Sequence, residues 1–167
     1  MPARELIFFP DARLGSVAQP VETWDEELRA LAEEVFEALC AVSAIGLTAP
    51  HIGVPSRLVV IRLQPDLAHV VYVNPQIVEA SPDRAPQVEG SVSMPGVSEP
   101  VERATRIRVR YRDLDGLEQE EEAEGFLAAC LQHEIDQLDG TFWIERLTRL
   151  RRERAVKRYA KLRRANA

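Results

Sequence analysis

The segment from Leu131 to Gly140 reads LQHEIDQLDG and decides how the rest of the chain is interpreted. It nearly matches H-E-x-x-H, in which two histidines one helical turn apart hold a metal ion and the glutamate moves a proton. Gln137 occupies the second histidine position. At about 3.6 residues per turn, Cys130, His133, Glu134 and Gln137 still share one helical face. Three interpretations follow: a metal site with an unusual ligand, a site that has lost its metal, or a chance run of polar residues.

The residue types on this face argue against a metal ion. A glutamine amide oxygen is a neutral, weak ligand, whereas transition metals prefer imidazole or thiolate. Cys130 offers a thiol on the same face, but its neighbours Leu127, Ala128, Ala129 and Leu131 are apolar and predict that it packs. The local pattern alone therefore favours a hydrogen-bonded helix face.

Length and composition set the class of protein. A chain of 167 residues with 46% apolar and 29% charged residues predicts one globular domain with a hydrophobic core. It contains no run of about eighteen uncharged apolar residues, so no membrane partner is expected. Pro10 and Asp11 interrupt any signal-peptide pattern, and a cytoplasmic location is expected. Cys40 and Cys130 are predicted to be buried free thiols.

Three helices are predicted. The first starts at a T-x-x-E capping box, Thr23 to Glu26, and carries apolar residues at helical spacing from Leu28 to Cys40. The second runs from about Phe126 to Leu138 and ends at a glycine. The third starts after Thr148, a good N-cap residue, and contains the basic C-terminus.

Between the first two helices the pattern changes to strands. Residues 43–57 are rich in small residues, Gly and Pro, and are predicted to form a loop. Strands are predicted at 57–61, 69–73 and 106–113, and a DG turn joins the last of these to an acidic partner strand. We therefore predict an α+β fold with strands packed around a central HEIDQ helix. Residues 1–148 form its body and residues 149–167 a basic helical extension of the same domain.

Three ordered blocks resemble the peptide deformylases. The chain has AIGLTAPHIG at 44–53, EGSVS at 89–93 and QHEIDQL at 132–138. The family motifs are G-x-G-L-A-A-P-Q-x-G, E-G-C-L-S and Q-H-E-x-D-H-L, in the same order. The resemblance runs almost end to end and implies the deformylase fold. It also implies a relation to enzymes that remove the N-formyl group from the N-terminal methionine of nascent proteins.

The resemblance also implies a degenerate metal site. In the family, one Cys and two His bind the catalytic ion, and the matching positions here are Ser91, His133 and Gln137. One ligand of three is kept. The resemblance therefore implies that no cofactor is bound or, if one is, a single divalent ion such as iron, zinc or nickel held weakly.

Other family roles are carried over by position. Glu134 matches the general acid/base. His51 stands where a Gln polarises the formyl oxygen, and the backbone N–H of Val92 would be the second donor to that oxygen. The positions that match the substrate cleft are Gly46, Leu47 and Gly90. Ser91 as a nucleophile with His133 as base is an alternative, but the sequence supplies no orienting third group.

The net charge of −6 is unevenly distributed. Residues 149–167 hold nine Lys or Arg and one acid, a local charge of +8, which leaves −14 for residues 1–148. Such a basic helix suits an anionic partner, and the C-terminal helix of bacterial deformylases docks on the ribosome. By that likeness we predict ribosomal RNA contact through phosphates, with binding that falls as salt rises.

Three functions remain open at this stage. The chain is a deformylase-like protein without efficient metal-dependent hydrolysis that keeps a cleft for N-formylmethionyl or related N-terminal peptides. Alternatively, it is an active deformylase with an atypical or weak metal site. In the third interpretation it is a ribosome- or RNA-associated binding protein in which the basic helix acts and the cleft has no role.

Overall fold

Seven β-strands and three α-helices form the part of the chain that the computed structural model describes, residues 4–167. In chain order they are α1 (Glu26–Ala41), β1 (Gly46–Thr48), β2 (Leu58–Ile61), β3 (Val70–Ala80), β4 (Arg84–Ser91), β5 (Met94–Ala104), β6 (Arg106–Arg112), β7 (Glu118–Glu124), α2 (Gly125–Leu138) and α3 (Arg149–Ala165). The α+β prediction is confirmed, with the HEIDQ sequence inside α2.

Two antiparallel sheets surround α2. The larger has the strand order β1-β2-β3-β6-β7, and the smaller is the β4–β5 hairpin. In the larger sheet the arginines of β6 lie opposite the glutamates of β7, from Arg106 against Glu124 to Arg112 against Glu118. This is the predicted pairing of a basic with an acidic strand, and opposite charges at facing positions stabilise this register.

Helix α2 packs one side against the larger sheet and is fixed to the smaller one. The cluster on the sheet side contains, from the helix, Ala128, Leu131, Ile135 and Leu138 and, from the strands, Val59, Tyr72, Ile107 and Val109. On β5, the side-chain amide of Gln132 donates to the carbonyl of Ala104 at 2.9 Å and accepts from its N–H at 3.0 Å. Contacts with both sheets give α2 a fixed orientation.

Several predicted boundaries were wrong. Helix α1 begins at Glu26 and is capped by Asp25, whose carboxylate accepts from the N–H of Leu28; the capping box predicted at Thr23 does not form. Asp is as good an N-cap as Thr and lies next to the first helical residue. The loop predicted at 43–57 contains β1 and a 3₁₀ turn, Ala49–Ile52. Cys40 is exposed on α1 and not buried, although both cysteines are free thiols as predicted.

Helix α3 packs on the body of the fold through a narrow apolar face. Thr148 caps it as predicted, its hydroxyl accepting from the N–H of Arg151 at 3.3 Å. Ala155 and Tyr159 are buried in a cluster that includes Phe142 and the N-terminal segment. In residues 4–167, no helix is both long and apolar enough to cross a bilayer.

Candidate functional site

A cavity of about 470 Å³ lies between β1, the β4–β5 hairpin and α2. It brings together eight residues that the sequence singled out: Gly46, His51, Gly90, Ser91, Val92, Cys130, His133 and Glu134. Leu47 and Gln137 do not line it. Side chains alternate along a strand, so Gly46 faces the cavity while the side chain of Leu47 is buried in the core next to α1.

Glu134 lies against β1 at a point where a side chain would not fit. A Cβ atom built on Gly46 would stand 2.8 Å from Oε1 of Glu134, closer than a Cβ contact allows. The carboxyl group is buried, and its Oε2 atom has no hydrogen-bond partner among the residues described. Burial raises the pKa of Glu134, because a buried carboxylate loses its solvation.

His133 is held by a buried network of charges. Its Nδ1 atom lies 2.8 Å from Oε1 of Glu89, and Arg103 donates to both oxygens of Glu89 at 2.6 and 2.8 Å. Arg103 also donates to Asp136 at 2.6 Å, and Arg146 donates to Asp136 from outside. Burial by itself lowers the pKa of His133, but the hydrogen bond to Glu89 and the nearby carboxylates raise it overall. Only Nε2 of His133 is left to meet a ligand.

The network bears on the Ser91–His133 alternative. Glu89 is the orienting third group that the sequence did not supply. The hydroxyl of Ser91, however, accepts a hydrogen bond from the N–H of Ser93 at 3.1 Å and makes none with His133. A nucleophilic pair is therefore not formed in this structure.

The residues present do not fit a transition-metal ion. Gln137 is buried outside the cavity, and its amide nitrogen donates to the carbonyl of Leu14 at 2.6 Å. Ser91 offers a neutral hydroxyl, which is a poor substitute for a thiolate. Across residues 4–167, no group of three or more His, Cys, Asp or Glu is placed to hold a metal ion.

Cys130 does not replace the missing ligand. It lines the cavity, but burial and the charges of Glu134 and Glu89 raise the pKa of its thiol to about 12. The thiol is therefore protonated at neutral pH, and within residues 4–167 Cys130 belongs to no group of three His, Cys, Asp or Glu side chains that could hold a metal ion.

His51 lines the cavity from the 3₁₀ turn Ala49–Ile52. It follows Thr48, the N-cap of the 3₁₀ turn, and its Nδ1 atom lies 3.1 Å from the N–H and 2.7 Å from the hydroxyl of Thr48. Its Nε2 atom is buried and has no partner among the residues described. Burial and the neighbouring charge of His133 lower the pKa of His51 to about 3. The ring is therefore neutral at ordinary pH.

The lowered pKa predicts how stability depends on pH. Between about pH 6.5, the ordinary value, and about pH 3, residue 51 binds a proton in the unfolded chain but not in the folded one. Stability is therefore lost as pH falls through this range, at up to about 1.4 kcal/mol per pH unit. When the pH falls from 6.5 to 5, the free energy of unfolding measured by urea denaturation should decrease by about 1.5 kcal/mol more in wild type than in the His51→Gln variant.

This comparison removes the contribution of the other titrating groups. Glu89, His133 and Glu134 line the same cavity and are present in both proteins, so their contributions largely cancel. Equal pH dependence in the two proteins would contradict a neutral, buried His51.

Sequence reasoning missed the groups that orient the site. Glu89 lies in the block EGSVS and Asp136 in HEIDQ, so both acids stand within motifs that were already identified. Their positions close to Ser91 and His133 in sequence could have indicated groups that orient the site. Arg103 lies in no block, and only the fold brings it to them. Thr48 stands where the family motif has Ala, and the sequence pattern did not identify it as the partner of His51.

Comparisons with known proteins show what this chain is similar to. The family model described as polypeptide deformylase matches residues 3–153. A "peptide deformylase-like" protein of Brucella melitensis is 54% identical over 164 residues, covering 98% of this chain and 100% of that protein. A second "peptide deformylase-like" protein, from Bradyrhizobium diazoefficiens, is 52% identical over 162 residues, and the match covers 97% of this chain and 95% of that protein. The crystal structure of a peptide deformylase from Legionella pneumophila superposes with a TM-score of 0.93 at 37% identity, covering 99% and 98% of the two chains.

Proposed function

Because this chain belongs to the polypeptide deformylase family, we propose that it binds N-formylmethionyl or related N-terminal peptides in the family's cleft without efficient metal-dependent hydrolysis. The observation that carries the proposal is the side chain of Gln137. It does not line the cavity, and its amide nitrogen donates to the carbonyl of Leu14, which holds the side chain away from His133 and Ser91. With Ser91 also neutral, a single imidazole remains, and one ligand does not retain a transition metal against water.

The cavity keeps the features that a peptide needs. Strand β1 is at the edge of the larger sheet and, within residues 4–167, pairs with β2 alone, so its outer edge is available to an extended backbone. Val88 and Phe126 are exposed apolar residues at the cavity and suit an apolar side chain such as methionine. His51 presents an unpartnered ring nitrogen to the peptide end.

The first test is turnover and binding of formyl-Met-Ala-Ser. Protein purified without oxygen and incubated with iron or nickel should release no more formate than Glu134→Ala does, whereas calorimetry should show that wild type binds the peptide. Metal-dependent turnover that Glu134→Ala abolishes would establish the alternative, an active deformylase with an atypical metal site. Absence of both binding and turnover would refute the proposal.

A second candidate function concerns α3. Besides Arg163, which donates to the carbonyl of Phe9, five exposed basic residues of α3 form no ion pair within residues 4–167: Arg154, Lys157, Arg158, Lys161 and Arg164. They follow one another at helical spacing on the side away from buried Ala155 and Tyr159. This basic stripe, attached to an acidic body, favours docking on ribosomal RNA through phosphates. The ribosome is therefore our proposed partner for this surface.

Substitution of the basic stripe tests this proposal better than deletion of residues 149–167, which would remove the buried Ala155 and Tyr159 from the core. Changing Arg154, Arg158 and Lys161 to Gln should weaken sedimentation with ribosomes and lower the log–log salt slope by about 2–3. The matched control changes three exposed arginines elsewhere, Arg4, Arg84 and Arg106, to Gln. Equal loss in both triple variants would indicate a nonspecific charge effect and contradict docking by α3.

A further inference from the structure

The hydrogen bonds between Thr48 and His51 fix where the imidazole carries its proton. Both residues are buried, Thr48 at 0% and His51 at 1% exposure. The backbone N–H of Thr48 points at Nδ1 from 3.1 Å. A backbone N–H can only donate, so Nδ1 must hold a lone pair and no proton. In the 2.7 Å contact the threonine hydroxyl is therefore the donor as well.

A neutral imidazole has one ring proton, and with Nδ1 excluded it lies on Nε2. This Nε2–H group is buried and has no acceptor among the residues described, although His51 lines the cavity. A buried donor without an acceptor is unfavourable, and a ligand that supplies an acceptor relieves that cost. The Nε2–H group of His51 is thus a hydrogen-bond donor with a fixed position in the cavity wall.

We propose that Thr48 is a positioning residue that holds His51 as an Nε2–H donor, and that this donor makes the cavity select a peptide end with a carbonyl oxygen over a free amine. The inference rests on the proposed function for the identity of its ligand, an N-formyl peptide. The formyl oxygen accepts from Nε2–H. A free amino terminus carries only N–H donors and leaves Nε2–H unsatisfied.

The direction of this selectivity depends on the tautomer. If the proton lay on Nδ1, it would face the N–H of Thr48, and Nε2 would become an acceptor. An acceptor at the cavity wall would favour the ammonium group of an unformylated peptide. The backbone N–H of Thr48 therefore fixes which peptide end the ring accepts, and the Thr48 hydroxyl adds a second donor that holds the ring in this orientation.

The tautomer can be measured without any ligand. Two-dimensional ¹⁵N NMR correlating ring nitrogens with ring carbon-bound protons distinguishes a protonated from an unprotonated imidazole nitrogen, and His51→Gln assigns the signals among His51, His69 and His133. We expect an unprotonated Nδ1 and a protonated Nε2 for His51. A protonated Nδ1 would overturn the proposal, whatever the protein binds.

Binding then tests the selectivity with matched variants. Thr48→Val removes the hydroxyl, one of the two donors that hold Nδ1 of His51, and keeps the size and the backbone N–H, whereas Thr48→Ser keeps both donors. Calorimetry should show that Thr48→Val weakens the binding of formyl-Met-Ala-Ser about fivefold, which corresponds to one neutral hydrogen bond. The binding of Met-Ala-Ser should not weaken. Thr48→Ser should stay within about twofold of wild type, and circular dichroism confirms that both variants are folded.

The possible failures are distinguishable. If Thr48→Val and Thr48→Ser behave alike, the Thr48 hydroxyl does not position the ring and the proposal that Thr48 is a positioning residue is wrong. If wild type prefers Met-Ala-Ser, the selectivity is wrong even when the tautomer is as expected. If wild type binds neither peptide, the selectivity fails together with the proposed function, and NMR alone decides the role of Thr48.

Discussion

Replacing Arg103 with methionine is expected to lower the free energy of unfolding by about 3–5 kcal/mol. Arg103 is 3% exposed and is the cation between two carboxylates, Glu89 and Asp136, whose side chains are 8% and 13% exposed. Removing it leaves Glu89 buried with His133 as its remaining partner. An uncompensated buried charge costs more than the lost hydrogen bonds alone.

Equilibrium urea denaturation at pH 7 measures this loss, with Arg110→Met as the matched control. Arg110 pairs with Glu120 on the surface, with side chains 48% and 44% exposed, and an exposed pair contributes about 1 kcal/mol or less. If Arg103→Met lowers the free energy of unfolding no more than Arg110→Met does, the buried network of Arg103, Glu89 and Asp136 does not stabilise the fold. The orientation of His133 would then need another explanation.

The sequence patterns predicted some of the strands and not others. The alternation at 106–113 and the DG turn predicted β6 and β7, because both signals are local. The hairpin β4–β5 was not predicted; its strands contain Pro86, Pro95 and Pro100, and proline interrupts the usual strand pattern. In a two-stranded sheet each strand has an unpaired edge, where a residue without an N–H is tolerated. Proline therefore indicated an edge strand and not a loop.

The site was predictable where it lies within a motif and not where partners are distant. The pattern of α2 put His133 and Glu134 on one helical face, and both line the cavity, whereas Gln137 on the same predicted face does not. The direction taken by Gln137 depends on Leu14, which is 123 positions away in sequence. No spacing rule relates two such residues, because their contact exists only after the N-terminal segment has packed on α2. The same holds for the contact of Arg103 with Asp136, 33 positions apart.

The contact of Gln137 with Leu14 also makes a change of function testable. Ser91→Cys combined with Gln137→His is expected to give a protein that binds one transition-metal ion per chain. A histidine ring at position 137 can donate one N–H to the carbonyl of Leu14, as the glutamine amide does, and direct its other nitrogen towards the cavity. His133 is already oriented by Glu89 through Nδ1, which leaves Nε2 as a ligand.

With a thiolate and two imidazoles in place, the dissociation constant for zinc or nickel should fall at least about a thousandfold, or about 4 kcal/mol. Metal analysis after dialysis measures the stoichiometry, and a thiolate-to-cobalt absorption band in the cobalt-loaded protein would show that residue 91 is a ligand. Each single substitution serves as a control and should hold metal weakly, because it provides two strong ligands of three. Formyl-Met-Ala-Ser turnover by the double variant, abolished by adding Glu134→Ala, would mean that the cleft still positions the formyl group. A folded double variant without metal would mean that the cavity has changed shape beyond its ligands, and would weaken the case for peptide binding there.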